Sequence, residues 1–254
     1  MKMKFKFLDI LLFALLFIFV NAFPVDLITK DATIRIILRI SLRTLLLGYD
    51  IYLLIKNRIN IFKFANYKRG LLFLPFLLVC FSNMIAAAIA KAPVIYLDEP
   101  LFVVLVCVYH LIGVIIEELL FRLFIQGSLV YASSIKRIFA GAGIFALFHL
   151  INIVDVSNVQ SLVTVLIQTV YAFGLGLLLG MIYEYTYSIP LCIVFHFIFN
   201  FFNTIFVENI YYVNFSQSLL VYYLTAIIIG IIVGVYAFLI YYFVLRRNER
   251  YFRE

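Results

Sequence analysis

The chain has few residues of the kinds that build soluble domains or disulfide scaffolds. Only 13% of its 254 residues are charged, whereas about a quarter are charged in an ordinary soluble domain. It contains no tryptophan, and its three cysteines, Cys80, Cys107 and Cys192, form neither a CxxC pattern nor a disulfide framework. We therefore expect no soluble domain, and we expect the cysteines to be inert buried thiols.

Long apolar runs fill the rest of the chain, of which 66% is hydrophobic. A helix needs roughly 20 apolar residues to cross a bilayer, and backbone groups in lipid must be hydrogen-bonded within their own segment. The sequence thus predicts an all-α polytopic membrane protein with one membrane domain over residues 1–254. Eight spans are expected, at about 7–25, 33–55, 70–90, 99–130, 137–152, 160–183, 189–207 and 219–245. In the fifth, Gly141 and Gly143 are predicted to allow close helix packing.

Basic residues lie mostly in alternate short connections, which sets the orientation of a membrane protein. The net charge of +7 is therefore explained by topology and does not indicate nucleic acid as a partner. Both ends are predicted to be cytoplasmic in a multi-pass cell-membrane protein. As an alternative, the first span resembles a signal peptide with a possible cleavage site at Val20-Asn21-Ala22, although its apolar stretch is long for one. The basic residues behind the orientation are Lys2, Lys4, Lys6, Lys56, Arg58, Lys63, Lys68, Arg69, Lys136, Arg137, Arg246, Arg247, Arg250 and Arg253.

The second span carries a stripe of arginines. Arg35, Arg39 and Arg43 recur every four residues and share one helical face. We interpret them as a face turned to lipid phosphates or to acidic partners, with the long side chains reaching the interface. The alternative is a stripe that contacts a substrate.

The stretch GVIIEELLFRLF, residues 113 to 124, places three charges within an apolar span. Glu118 and Arg122 are four residues apart and stack on one helical face, so they are predicted to form an ion pair. Glu117 points about 100° away and keeps its carboxylate available, which suits a general acid or base. The competing interpretation is a static charge cluster that holds helices together.

Two further pairs lie on later spans at helical spacing. Phe145 and His149 belong to the segment FALFH, and His196 and Asn200 to HFIFN. Either pair alone is typical of hydrogen bonding between helices. Together with the double carboxylate, they are predicted to converge at similar depths in the membrane. His110, seven residues before Glu117, is expected to be a packing or cavity-lining residue.

A carboxylate, two imidazoles and a carboxamide in one pocket can hydrolyse a peptide bond. Glu117 would take a proton from water with help from His149, and His196 and Asn200 would stabilise the oxyanion. The same groups suggest a second possibility, in which His149, His196 and Glu117 hold Zn²⁺ or another divalent metal with an open position for water. The spacing is not HExxH, so the sequence leaves open whether any cofactor is used.

The ordered trio EExxxR, FxxxH and HxxxN resembles the CPBP intramembrane protease family, which includes CAAX prenyl endopeptidases and bacteriocin-processing or self-immunity proteins. The resemblance covers about residues 100 to 205, with catalytic core helices at 99–207. It implies an eight-helix bundle with a cytosol-facing cavity, Glu117 as the water-activating residue, and assistance from His149. It also implies that His196 and Asn200 stabilise the oxyanion and that Glu118 and Arg122 are supporting residues, while the family's use of a metal is disputed.

The resemblance implies an endopeptidase acting on a membrane-protein or peptide-precursor substrate within membrane lipid. The alternative is a non-catalytic membrane scaffold or immunity factor that binds a membrane partner. A transporter is a third possibility, but the sequence lacks a pair of broken helices in matching halves of the chain.

Overall fold

The structure is a computed structural model that describes residues 6–62, 65–80, 100–156, 158–213 and 215–245; the side chains of 79, 155, 160, 203–213, 215–226, 229, 244 and 245 are not described. The described residues form helices and no strands. The α-helices are α1 Phe7–Ala22, α2 Ala32–Lys56, α3 Phe76–Cys80, α4 Pro100–Glu118, α5 Ser134–Phe148, α6 Val159–Thr186, α7 Ile189–Val213 and α8 Phe215–Ile240. Shorter 3₁₀ segments cover Val25–Leu27, Tyr67–Phe73, Gln126–Ser128 and His149–Asp155, and π-helical segments cover Leu119–Ile125 and Tyr241–Leu245.

The all-helical class is confirmed in these ranges. Four helical stretches are long and apolar enough to cross a bilayer: Phe7–Leu27, Pro100–Ser128, Ser134–Val154 and Ser161–Thr186. Two shorter apolar stretches are Ile189–Phe202 and Gly230–Phe243. The total of eight spans stays a prediction, and most of the span expected at 70–90 falls outside the described residues. The fifth span differs in detail, since its α-helix ends at Phe148 and continues as a 3₁₀ segment.

Helix α1 is packed into the bundle. Phe13 is completely buried, and its ring packs edge-to-face on that of Phe124 with the two ring centroids 5.6 Å apart. In the first turn of α1, Asp9 accepts a hydrogen bond of 3.0 Å from Lys56 at the end of α2. Retention of this segment in the mature protein stays a prediction, which the packing favours.

The arginines of α2 have partners in the protein. Arg35 forms a 2.9 Å ion pair with Asp26, and Arg39 lies 3.7 Å from the same carboxylate. Arg43 instead enters the interface with α1 and α4, where it donates to Asn21 Oδ1 at 2.9 Å and lies 4.0 Å from the ring centroid of Tyr109. These contacts fit the interpretation of the stripe as a face with acidic and polar partners.

Glycines bring three helices close together around α6. A β-carbon at Gly174 would lie 2.7 Å from the carbonyl oxygen of Gly230, so the backbones of α6 and α8 touch there. A β-carbon at Gly176 would lie 3.0 Å from Ala142 Cα of α5. In α5 itself, a β-carbon on Gly141 would meet side chains of the α4 extension, whereas one on Gly143 would meet no atom of the described residues within 4 Å. Close helix packing was predicted at both glycines of this helix, and the described residues show it at Gly141 but not at Gly143.

A tight turn sets the position of α7 relative to α6. Helix α6 ends at Thr186, and Tyr187 adopts a left-handed conformation with φ 51°. Pro190 follows in the first turn of α7, where its missing N–H has no intrahelical partner to lose. The turn therefore brings His196 and Asn200 back alongside the centre of the bundle.

Candidate active site

The helix that carries the double carboxylate changes geometry at that point. Helix α4 ends at Glu118 and continues as a π-helical turn over Leu119–Ile125. Single π-helical turns within α-helices are frequent at functional sites. All residues from Leu119 to Phe124 are buried, so the turn lies in the interior of the bundle.

Glu118 is completely buried and joins two helices. Its Oε2 accepts a 3.2 Å hydrogen bond from Arg122 Nε, and its Oε1 lies 2.8 Å from His196 Nδ1 on α7. All three side chains are at most 2% exposed. The predicted ion pair is therefore present, and it is part of a triad. Removing one member would leave an uncompensated charge in the interior.

Glu117 has a different environment from that of its neighbour. Its side chain is 17% exposed, against 0% for Glu118, and Oε2 lies 3.7 Å from His196 Nε2. It is also close enough to His149 to interact electrostatically with that imidazole. In the described part of the chain, no arginine or lysine pairs with Glu117. The carboxylate is thus available within the polar cluster.

His149 is oriented by its own helix. Its Nδ1 lies 2.9 Å from the carbonyl oxygen of Phe145. Because a carbonyl can only accept, Nδ1 carries the hydrogen and Nε2 has a lone pair in the neutral ring. His149 therefore presents an acceptor nitrogen.

Glu118 orients His196 through Nδ1, the same ring nitrogen that is hydrogen-bonded in His149. The ionised carboxylate accepts from Nδ1, which leaves Nε2 to face Glu117 and the Nδ2 atom of Asn200 at 3.1 Å. In the neutral ring, Nε2 accepts a hydrogen bond from the Asn200 amide. It becomes a donor only when the ring is doubly protonated.

Phe145 lies at the centre of this group. Its ring, which is fully buried, is centred 4.8 Å from the ring of His149 and 5.6 Å from that of His196. The Arg122 guanidinium lies 5.2 Å from the same ring centroid, within the range of a cation–π contact. One aromatic side chain thus packs close to the buried cation and to both imidazoles.

The structure brings together every residue singled out for the site: Glu117, Glu118, Arg122, Phe145, His149, His196 and Asn200. The ring of His110 makes an edge-to-face contact with that of Tyr109, with centroids 5.3 Å apart, which fits a packing residue.

Sequence reasoning missed a second polar cluster. Gln126 donates hydrogen bonds to the Gly180 carbonyl at 3.0 Å and to Glu184 Oε1 at 3.1 Å. Glu184 in turn accepts from Arg137 Nε at 2.8 Å. The sequence did contain an indication of this cluster. Glu118, Arg122 and Gln126 are each four residues apart, so Gln126 is expected on the same helical face as the ion pair.

The site has features of a metal centre but lacks a converging set of ligands. Both imidazoles have Nδ1 hydrogen-bonded and Nε2 turned to the site, as in metal-ligating histidines. Among the described side chains, however, no three His, Cys, Asp or Glu groups approach closely enough to hold a metal ion. The residues as placed do not fit a bound ion, and we derive no step through one.

The fold and the site together define a class: an all-helical membrane protein with ionised and imidazole side chains in its interior. Residues 99–202 match the family model described as type II CAAX prenyl endopeptidase Rce1-like. This match confirms the resemblance of the segment with the three motifs to the CPBP family of intramembrane proteases, and it covers less than half of the chain. Searches of curated proteins and of solved structures gave no significant match.

Proposed function

We propose that the protein is an intramembrane endopeptidase that hydrolyses a peptide bond in a membrane-associated or precursor polypeptide by means of water activated by Glu117. The observation that carries this proposal is the pairing of two unlike carboxylates. Glu118 is paired with the Arg122 cation and contacts His196, whereas Glu117 is partly exposed, lies 3.7 Å from His196 Nε2 and has no arginine or lysine partner among the described residues. A carboxylate in that setting is suited to proton transfer.

The reaction begins with a water molecule between Glu117 and His149. Glu117 accepts a proton from the water, and the acceptor Nε2 of His149 orients it. The oxygen then bonds to the substrate carbonyl carbon, and the carbonyl oxygen becomes an oxyanion. When the carbon–nitrogen bond breaks, Glu117 returns the proton to the leaving amine, so atoms and charge balance.

Asn200 is the first donor to the oxyanion in this scheme. Its amide lies 3.1 Å from His196 Nε2 and can turn its hydrogens to the substrate without moving the helix. His196 Nε2 joins as a second donor in a ring that carries hydrogens on both nitrogens. Preorganised donors of this kind contribute about 10²–10³ in rate each.

The proposed membrane arrangement has both ends in the cytoplasm and the site open to the cytosol. It rests on the distribution of Lys and Arg among the connections. Access from the cytosol would supply both the water and the substrate.

The test is a comparison of new peptide termini in cells that carry wild-type protein or Glu117→Gln. The control is Asp50→Asn, which makes the same change in another buried carboxylate that lies on α2. Termini that appear with wild type and with the control but not with Glu117→Gln would identify the substrate. If Glu117→Gln produces the same termini as wild type at equal protein levels, the proposal is wrong and a non-catalytic scaffold or immunity role takes its place.

A further inference from the structure

Gln126 lies at the end of the π-helical turn that follows the double carboxylate. Its backbone N–H donates to the carbonyl oxygens of both Phe121 and Arg122. The first acceptor is five residues back, as in a π-helix, and the second is four residues back, as in an α-helix. The chain therefore passes from one hydrogen-bonding pattern to the other at this residue, and the position of Gln126 sets where the π-helical turn ends.

The side chain of Gln126 is held by α6. It is completely buried, and its Nε2 donates to the Gly180 carbonyl oxygen at 3.0 Å and to Glu184 Oε1 at 3.1 Å. Both of these oxygens are acceptors, so the amide nitrogen must lie at this end. The amide cannot turn away from α6 without breaking both hydrogen bonds.

The same side chain is crowded by two glycines. A β-carbon on Gly141 of α5 would lie 3.0 Å from Gln126 Oε1, and one on Gly180 would lie 3.1 Å from the same atom. These are short contacts, so the backbones of α5 and α6 already press close to the amide from two sides. Crowding and hydrogen bonds together fix the side chain of Gln126.

Glu184, the charged partner of Gln126, is itself held from α5. Arg137 Nε donates to Glu184 Oε1 at 2.8 Å, and Arg137 Nη2 donates to Oε2. Arg137 also donates to the Ala132 carbonyl oxygen at 2.9 Å and to Ser134 Oγ at 3.2 Å, at the start of α5. Two parallel hydrogen bonds between an arginine and a carboxylate form a strong, directional pair. Gln126 is thus attached to a pair that joins α5 to α6.

The other end of this stripe of residues is the active-site triad. Arg122 Nε donates to Glu118 Oε2 at 3.2 Å, and Glu118 Oε1 lies 2.8 Å from His196 Nδ1. We propose that Gln126 is a positioning residue: its anchored amide holds the end of the π-helical turn and thereby keeps Glu118 in contact with His196.

Loss of the amide would release the turn. The N–H of Gln126 could then bond to the Arg122 carbonyl alone, and the turn would close as an α-helical one. Successive residues of an α-helix are about 100° apart, so this change would rotate Glu118 relative to His196 and separate them. On the proposed function, on which the consequence for catalysis rests, Glu117 would lose its place beside His196 as well.

The experiment compares Gln126→Leu with the wild type by NMR of purified protein in detergent, with ¹⁵N in the histidine rings only. The chain contains three histidines, so few signals arise. In the wild type we expect an Nδ1–H signal from His196, because this group is hydrogen-bonded to the buried carboxylate of Glu118. The same signal should be absent from His196→Asn, which assigns it. We expect it to be lost in Gln126→Leu.

Two controls separate positioning from a general loss of stability. His149 is the internal control, since its Nδ1 is bonded to the Phe145 carbonyl oxygen four residues earlier, and its signal should persist. Gln168→Leu is the matched variant, because Gln168 Oε1 accepts a hydrogen bond of 2.9 Å from Asn152 in another part of the bundle. A merely structural role of Gln126 predicts a lower Tm with the His196 signal unchanged.

Gly180→Ala provides a second variant if Gln126→Leu does not fold. Its methyl group would press on Gln126 Oε1 and on the side chain of Ile138, while helix propensity favours alanine. We expect a weaker His196 signal relative to that of His149. Gly143→Ala is the control, because a β-carbon there would meet no atom of the described residues within 4 Å, and it should leave the signal unchanged.

Three results would overturn the inference: no His196 Nδ1–H signal in the wild type, an unchanged signal in folded Gln126→Leu, or an equal loss in Gln168→Leu. If Gln126→Leu does not fold, an unchanged signal in Gly180→Ala has the same effect.

Activity provides a separate measurement. On the proposed function, Gln126→Leu should lower kcat about 10²-fold with little change in KM, because the amide does not touch the substrate and a small misplacement of reacting groups costs about that much. The NMR comparison does not use activity. A lost signal in a protein that cleaves nothing would reject the proposed function alone, and an unchanged signal in an active protease would reject the role of Gln126 alone.

Discussion

The carboxylate of Glu118 and the imidazole of His196 lie 2.8 Å apart although 78 residues separate them in the chain. This contact links α4 to α7 and sets which nitrogen of His196 faces Glu117. It divides the two adjacent glutamates into one that holds the site together and one that is available for proton transfer. Most of the expected effects of substitution follow from that division.

Substitution of the two glutamates separates these roles. Glu117→Gln is expected to reduce the cleavage rate about 10²–10⁴-fold with little change in Tm, because it removes a proton acceptor. Glu118→Gln is expected to destabilise the protein by about 3–5 kcal/mol, because the buried Arg122 loses its counter-charge. Rates are measured on a substrate found by terminal proteomics, and Tm by thermal unfolding in detergent. Equal loss of Tm in both variants would contradict the division of roles.

Loss of the Asn200 amide tests the oxyanion donor. Asn200→Ala is expected to lower kcat about 10²–10³-fold, as for removal of one preorganised donor. Asn152→Ala is the matched control, since Asn152 also makes a side-chain hydrogen bond, to Gln168 Oε1 at 2.9 Å, away from the motif residues. Steady-state kinetics of both variants give the comparison. A similar fall in kcat in both would assign the Asn200 effect to general packing.

Metal removal tests the choice of mechanism. Because no three ligating groups converge among the described side chains, we expect dialysis against a strong chelator to leave the cleavage rate unchanged. Elemental analysis of the purified protein before and after dialysis checks that any metal has been removed. Activity that disappears with the chelator and returns with Zn²⁺ would instead favour ligation by His149, His196 and Glu117.

The arginine in the α1–α2–α4 interface gives a stability prediction outside the site. A β-carbon at Gly113 would lie 2.4 Å from Arg43 Nη1, so Gly113→Ala has to displace a guanidinium that is bonded to Asn21. We expect a loss of about 1–3 kcal/mol, as for other overpacked interfaces. Gly48→Ala is the control, because a β-carbon there would meet no atom of the described part of the chain within 4 Å, and helix propensity favours alanine. Thermal unfolding of the two variants shows whether the loss is confined to position 113.

Spacing along the chain predicted the local pairs in this molecule. Glu118 with Arg122, Phe145 with His149, and His196 with Asn200 are each four residues apart, and each pair is in contact in the structure. The contact of Glu118 with His196 was beyond this reasoning, since periodicity says nothing about which helices are neighbours. Similar depths in the membrane supplied the expectation that the three motifs meet, but not which of their side chains touch. The roles of these residues in catalysis stay predictions.

Three other structural features could not be predicted from the sequence. The π-helical turn at Leu119–Ile125 contains neither glycine nor proline, so no residue type in the sequence marks it. Asp50 is completely buried without a hydrogen-bond partner among the described residues, which an isolated acidic residue in an apolar run does not reveal. Arg43 is hydrogen-bonded to residues of α1 and α4, unlike Arg35 and Arg39, which lie beside Asp26. The three arginines share one four-residue spacing, so the sequence does not predict this difference in partners.

The touching backbones of α6 and α8 at Gly174 and Gly230 restrict how a polypeptide can arrive from the bilayer. At that level the two helices leave no gap for even one methyl group, so a chain cannot slip sideways between them. On the proposed function, a polypeptide substrate would therefore have to enter the bundle at a place other than the contact between α6 and α8.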